Sequence, residues 1–341
     1  MSQRKMVIVW SAKDRTSGRS QRIADALGAE LRYVYYPTLF GLNMPLPMRY
    51  MMQGIATFFI LLTVRPAVLT LQLPPVFAAF PVFLVGKLFG TRIHLDFHTS
   101  FQDKTWRKFH RLHHFFAKNA AYVTAHNKDD FVLLQRWAPE HSAVLKSPAM
   151  DRNELVMNPG YLSALDVNAH AHERKVFFVN RFANDDPYEE VIALARMRPE
   201  TCFFVTGNPD KVALDLATLP ANVVLTGFIH PSKFLALMDA CDVVLSLTTR
   251  PGTLLWSIRE ALALGKPVVT SDHSILKEEF GAVALFTNHR PEDLSDKIDK
   301  ALEENDTLMQ AAMSYIEKDK LRWERDVKVL RDALSDSTSE G

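Results

Sequence analysis

The stretch TLLWSIREALALGKPVVTSD, residues 253–272, restricts the fold more than any other, because it runs from a helix through a tight turn into a buried strand. Pro251 and Gly252 stand ahead of it as a start signal, and Leu254, Ile258, Ala261 and Leu262 recur at helical spacing on one face. Gly265 predicts the helix end, and Lys266-Pro267 turns the chain. Val268, Val269 and Thr270 form a β-branched run suited to a strand covered on both faces of a parallel sheet. Glu260 is the misfit, a carboxylate near the middle of an otherwise apolar helix.

The run REALALGKPVVTSD, preceded by NVVLTGFI and DACDVVLSL, resembles the nucleotide-sugar-binding half of GT-B glycosyltransferases, most closely family 4. The resemblance implies an α/β fold of two Rossmann-like parallel-sheet domains facing across a cleft, with a C-terminal helix crossing back to the first. It implies an acceptor-side domain over 1–160, a linker over 161–174, a donor domain over 175–320, and a terminal helix and tail over 321–341. In that family the helix glutamate holds the ribose hydroxyls, a role that falls here on Glu260.

Length and composition agree. The chain has 341 residues, 48% of them hydrophobic, enough for two cores. Cys202 and Cys241 sit in apolar runs and predict neither disulfide nor zinc site, so a reducing, cytoplasmic setting is expected. The apolar run in MSQRKMVIVW has strand length, and no run reaches the length of a membrane span, so neither a signal peptide nor a crossing is expected. The net charge of +1 conceals an asymmetry: residues 1–165 hold 20 Lys and Arg against 10 Asp and Glu, leaving 20 against 29 for the rest. A basic first half predicts an anionic partner there, either a membrane or a lipid-phosphate acceptor, with nucleic acid the less expected choice and plain surface charge the alternative.

In the first half, residues 6–10 predict a strand and SQRIADALG a helix, joined by a polar loop holding Ser17, Gly18 and Arg19. A loop there lies where open α/β sheets bind ligands, and Gly18 is taken as a donor contact. A second strand at 31–36 and an irregular loop over 37–47 follow. Residues 48–64 read as a core helix, with a half-inserted interfacial helix as the alternative. Strands at 67–73 and 92–98 flank a helix at 76–89, and the second strand ends in Asp96, His98, Thr99 and Ser100. By the resemblance His98 contacts the transferred sugar, with Asp96 beside it as a catalytic candidate, whereas His94 reads as an ordinary strand residue. Residues 104–118, KTWRKFHRLHHFFAK, predict one amphipathic helix. Lys104, Arg107, Lys108, Arg111 and Lys118 lie on its basic face, opposite Trp106, Phe109, His113 and Phe116. The basic face suits anionic headgroups. His170 and His172 lack a third ligand nearby and read as linker.

In the second half, strands are expected at 176–179, 202–206, 223–227 and 243–247. Family 4 proteins follow the first with an arginine and, five residues on, a lysine, both on the donor diphosphate. Arg181 matches the arginine, but Asp186 stands where the lysine belongs, leaving Arg250, Lys266 or the helix start near Thr253 as substitutes. The resemblance places Gly207 at the donor and Phe228 and Ile229 at the base. A second glutamate, eight positions before Glu260, is replaced by Gly252, so backbone N–H groups of Gly252, Thr253 and Leu254 become the expected phosphate contacts. A long amphipathic helix is expected over 306–334, with STSEG as its tail.

The function implied is transfer of a sugar from a nucleoside-diphosphate sugar to a hydroxyl acceptor, retaining, without metal or cofactor, on a glycan or lipid-linked acceptor near a membrane. Were it inverting, His98, Asp96 or Asp14 would take the acceptor proton. A GT-B epimerase and an inactive sugar-nucleotide-binding partner are the alternatives.

Overall fold

The computed structural model describes residues 4–12, 18–39, 41–158 and 174–335. Ser17, Asp14, His170, His172, the 161–173 part of the expected linker and STSEG lie outside them. The chain divides into two compact units, Met1–Pro148 with Leu321–Gly341, and Ala149–Lys320.

The first unit is a six-stranded parallel sheet in the order β2-β1-β5-β6-β7-β8. Its strands are β1 (Lys5–Val9), β2 (Glu30–Tyr33), β5 (Val68–Leu73), β6 (Arg92–Phe97), β7 (Tyr122–Ala125) and β8 (Ser142–Val144). A small antiparallel ribbon, β3 (Thr38–Leu39) with β4 (Leu42–Asn43), occupies the stretch read as an irregular loop. The helices are α1 (Arg19–Leu27), α2 (Leu46–Val64), α3 (Ala79–Phe89), α4 (Lys104–Arg107), α5 (His110–Asn119) and α6 (Lys128–Trp137). Alternation along the strands sorts the core into two layers. Ile8, Leu69, Leu71, Ile93, Leu95 and Val123 pack with α2 and α3. Val7, Val9 and Val68 pack instead with Ile23, Ala24 and Leu27 of α1 and with Val327, Leu330 and Leu334.

Those last three belong to α12 (Asn305–Ser335), which is counted with the second unit as far as Lys320 and with the first from Leu321. Within the first unit the helix is also held by Arg92 Nη2 on the carbonyl of Ala333 (2.7 Å) and Arg331 Nε on that of Ala26 (2.6 Å).

The second unit is also a six-stranded parallel sheet, in the order β11-β10-β9-β12-β13-β14. It comprises β9 (Arg174–Val179), α7 (Tyr188–Met197), β10 (Thr201–Thr206), β11 (Val223–Gly227), α8 (Pro231–Asp239), β12 (Val243–Ser246), α9 (Trp256–Ala263), β13 (Val268–Ser271), α10 (Ser274–Phe280), β14 (Leu285–Thr287) and α11 (Pro291–Glu303). Phe177, Phe204, Val244 and Val268 face α8, α9 and α10. Val176, Phe178, Phe203, Val205, Leu245 and Val269 face α7 and α11. Both cysteines are buried free thiols.

The sheet winds outward both ways from β9 and β12, the arrangement whose crevice, at the carboxyl ends of the strands, accommodates ligands. Gly207 shapes one wall of that edge. Its φ is +95°, and a Cβ there would lie 2.6 Å from the carbonyl oxygen of Asn180 and 2.8 Å from the Arg181 Cα. Gly207→Ala is expected to destabilise the second unit by about 3 kcal/mol, through backbone strain and a forced contact. Urea unfolding measures this, and an unchanged midpoint would contradict the close approach.

Candidate active site

In the first unit, β6 puts residues 92, 94, 96 and 98 on one side. Parallel pairing sets His94 beside Thr70 of β5 and Asp96 beside Thr124 of β7. The result is a buried polar track. Thr124 Oγ1 donates to Asp96 Oδ1 (2.7 Å), so it accepts from His94 Nε2 (3.0 Å), and His94 Nδ1 in turn accepts from Thr70 Oγ1 (3.1 Å). Burial pushes the His94 pKa down to about 4, keeping the ring neutral.

The track ends on Arg19. Its Nε and Nη2 reach the two Asp96 oxygens at 2.9 and 2.6 Å, and neither side chain is exposed by more than 1%. Burial opposes the charge on Asp96, but Arg19 and His98 prevail and hold its pKa well below the carboxylate range. Asp96 is therefore held ionised in a buried ion pair. Arg19 is no ligand-facing loop residue: it opens α1 and neutralises Asp96. Gly18 is exposed at the start of that helix.

His98 follows β6 with its ring partly exposed and its Nε2 3.2 Å from Asp96 Oδ2. His126, which sequence reasoning missed, follows β7 at the equivalent place, and the two ring centroids are 4.1 Å apart. The available signal was register: Asp96 pairs with Thr124, so residues 98 and 126 leave adjacent strands together. The two histidines and Asp96 bring ligand atoms within 4.8 Å of one another. Both carboxylate oxygens are, however, already held by Arg19 and Thr124.

The basic segment is not one helix. It breaks at Lys108-Phe109 into α4 and α5. Lys104, Arg107, Lys108, Arg111 and Lys118 are all exposed, while His113 and Phe116 are buried and Trp106 and Phe109 pack against the core.

In the second unit, the loops after β9 and β12 meet at the switch point. Thr249 N donates to the Asp185 carbonyl (2.7 Å) and Thr248 Oγ1 to Asp185 Oδ2 (3.0 Å). Arg181 lies in the first of these loops, 62% exposed, with Nη2 3.1 Å from Asp185 and 3.2 Å from Asp186. Asp186 also accepts the backbone N–H groups of Arg181 (2.8 Å) and Ala183 (3.0 Å). The residue in the lysine position thus staples the loop and partly neutralises the arginine. Lys211, another cation missed in the sequence, places its Nζ 3.0 Å from the Arg181 carbonyl.

Helix α9 begins at Trp256, not near Thr253, because Leu255 is still extended. Gly252 (φ +73°), Thr253 and Leu254 form its approach, and the N–H groups left free by the helix start belong to the residues after Leu255. At the other end, Lys266 N bonds to the Ala261 carbonyl and Gly265 takes φ +70°. Lys266 therefore precedes β13 at the opposite edge of the sheet from Arg181, and is removed as a phosphate contact. Arg250 is exposed in the β12 loop.

Glu260 sits midway along α9, half-buried. Among the described residues nothing bonds or pairs with its side chain, and burial raises its pKa to about 7. Phe228 is 90% exposed after β11, whereas Ile229 packs against the core. Two further residues missed in the sequence, His273 and His289, border the same edge: His273 Nε2 lies 2.9 Å from the Thr248 carbonyl and His289 Nε2 2.7 Å from Ser271 Oγ.

Residues 166–320 match the family model of glycosyl transferases group 1. The chain has the GT-B fold. No curated protein sequence matches it. Among solved structures, sucrose-phosphate synthase from Thermosynechococcus elongatus is similar with TM-score 0.74 at 14% identity, over 98% of this chain and 100% of that one. Anabaena HepE, in complex with UDP and glucose, has TM-score 0.68 at 15% identity over 98% and 100%. The UDP-forming trehalose-phosphate synthase of Burkholderia vietnamiensis has TM-score 0.67 at 10% identity over 98% and 100%. At these identities the likeness is one of fold.

Removing one partner of a buried ion pair strands the other charge. Asp96→Ala should therefore destabilise the protein by about 3–5 kcal/mol, whereas His98→Ala should cost about 1 kcal/mol or less. Denaturant titration of both variants checks this, and wild-type stability in Asp96→Ala would contradict the assignment.

Proposed function

We propose that the chain transfers a sugar from a nucleoside-diphosphate sugar to a hydroxyl acceptor, with the donor held at the carboxyl edge of the second unit's sheet. The observation that carries this reading is Glu260. A half-buried carboxylate with no cation beside it among the described residues, and a pKa raised to about 7, is costly to the free protein and suits a ligand that donates two hydroxyls. The ribose of a nucleotide is such a ligand. Relatives of the same fold solved with UDP or UDP-glucose support this choice.

Phe228 offers an open face for the base, beside Ile229 and the turn at Gly207. Arg181, Lys211 and Arg250, with the N–H groups at the start of α9 and its approach, would meet the diphosphate. Breaking the anomeric bond leaves negative charge on that group, so fixed cations and dipoles there lower the barrier. With Asp96 occupied by Arg19, the reading favoured is retaining transfer, which requires no dedicated base. It is also metal-independent, since no Asp-x-Asp pair ends a strand. The exposed cations Lys104, Arg107, Lys108, Arg111 and Lys118 favour a lipid-linked acceptor at a membrane over an epimerase, which has no acceptor to receive.

The grip of Asp185 and Asp186 on Arg181 favours one second reading, a sugar-nucleotide-binding partner without turnover. Sugar transfer measured with lipid acceptors separates the two.

Thermal unfolding in the presence of UDP, GDP, ADP and dTDP tests the donor site. Ligand at about 100 times its dissociation constant adds about 2.7 kcal/mol of stability. One nucleotide should stand out, and Glu260→Ala should fold normally and lose the shift. An equal shift in the variant would remove Glu260 from the site.

A further inference from the structure

Helix α2 is apolar on the outside. Its buried side chains are Gln53, Thr57 and Leu61. Gln53 Nε2 donates to the Val34 carbonyl (2.6 Å), and the Trp10 indole N–H donates to Thr57 Oγ1 (2.8 Å). The outward positions carry Leu46, Met48, Met51, Ile55 and Phe59, with Met51 58% and Phe59 59% exposed. That is the reverse of the pattern expected for a helix facing water. Helix α3 packs alongside and continues the surface with Phe80, Leu84 and Leu88, the last two 63% and 69% exposed. Phe116 links this surface to Phe115 of α5, its ring lying 5.2 Å from Phe80 and 5.3 Å from Phe115. So wide an apolar face signals a binding surface.

A groove of about 500 Å³ opens beside α2, walled by Leu46, Tyr50, Met51, Phe77, Trp106 and Phe109. Its floor is an aromatic cluster, with Tyr50 5.5 Å from Phe77 and Phe77 6.0 Å from Trp106. The charged side chains of α2 and α3 are all cationic. From Glu30 to Asp96 the chain carries no acidic residue, yet it includes Arg49, Arg65 and Lys87. The segment that lines the groove with Trp106 and Phe109 adds five exposed cations, two on α4, two on α5 and Lys108 at the break between them. No helix among the described residues is long and apolar enough to cross a membrane.

We propose that the α2–α3 face of the first unit lies on an anionic phospholipid bilayer, and that the groove beside α2 takes a hydrocarbon chain of a lipid in it. Apolar side chains enter the headgroup boundary while the surrounding cations meet lipid phosphates, the two components of interfacial binding. This deepens the reading of a membrane-proximal acceptor but does not depend on glycosyl transfer, because vesicle binding is measured without any donor.

The test is co-sedimentation of the full chain with vesicles of phosphatidylcholine alone or mixed with phosphatidylglycerol. Binding should require phosphatidylglycerol and weaken with salt. The triple variant Met51→Glu, Phe59→Glu, Leu84→Glu should lose binding at least tenfold while keeping the wild-type unfolding temperature and nucleotide response. Brominated acyl chains should quench part of the tryptophan emission, a part absent in Trp106→Phe. Three results would each overturn the proposal: no binding by the wild type, unchanged binding by the triple variant, or a dimer in sedimentation that the variant abolishes while vesicles never bind. Vesicle binding without Trp106 quenching would overturn the groove. Failure of sugar transfer alongside intact vesicle binding would fault the catalytic reading and not this one.

Discussion

A parallel sheet wound outward in both directions from its middle sends two consecutive loops apart at one edge, and a ligand fits where they part. In the second unit those loops follow β9 and β12, and the chain stitches them together through Asp185, which accepts from Thr248 and Thr249. Arg181 and the approach to α9 lie in the two loops so joined. Winding direction is set by the order in which buried strands pair, and each pairing depends on β-branched and aromatic side chains that cannot be left in water.

Charge burial follows a different rule in each unit. In the first, Arg19 and Asp96 are both withdrawn from solvent and satisfy each other, with Thr124 and His94 extending the network, so the pair organises strand ends without offering a reactive group. In the second, Glu260 is half-withdrawn with nothing among the described residues to satisfy it, and burial makes it hold its proton more tightly than an ordinary carboxyl, with a pKa raised to about 7. A satisfied pair fixes structure, whereas an unsatisfied carboxylate at a ligand edge is an unfilled half of an interaction.

Much of this was legible in the sequence. The helix, turn and strand of residues 253–272 place Glu260 correctly, since apolar periodicity and the glycine at the turn are local signals. The start of α9 was read about three residues early because Leu254 and Leu255 continue the apolar pattern while their backbone stays extended. The ion pair of Asp96 was not legible for a non-local reason: its partner Arg19 is distant in the chain, and only the fold brings them together. His126 escaped for the same cause, being adjacent to His98 across strands. The 104–118 segment was divided correctly into faces but not into helices, since a break at Lys108-Phe109 leaves no glycine or proline to mark it. For α2, both a core and an interfacial helix suited the sequence, because its apolar residues divide between the core, where Tyr50, Phe58, Ile60 and Leu62 pack, and the exposed face of Met51, Ile55 and Phe59.

The claim that Glu260 waits for hydroxyl donors is tested most directly by the pH dependence of UDP binding, measured calorimetrically in wild type and Glu260→Gln. Hydroxyl donation favours the carboxylate and lowers its pKa in the complex. Below pH about 7 binding must therefore release a proton, and wild-type affinity should fall up to about tenfold per pH unit relative to the variant. Above that pH the difference should level off. Parallel profiles for the two proteins, with equal proton release, would contradict the account.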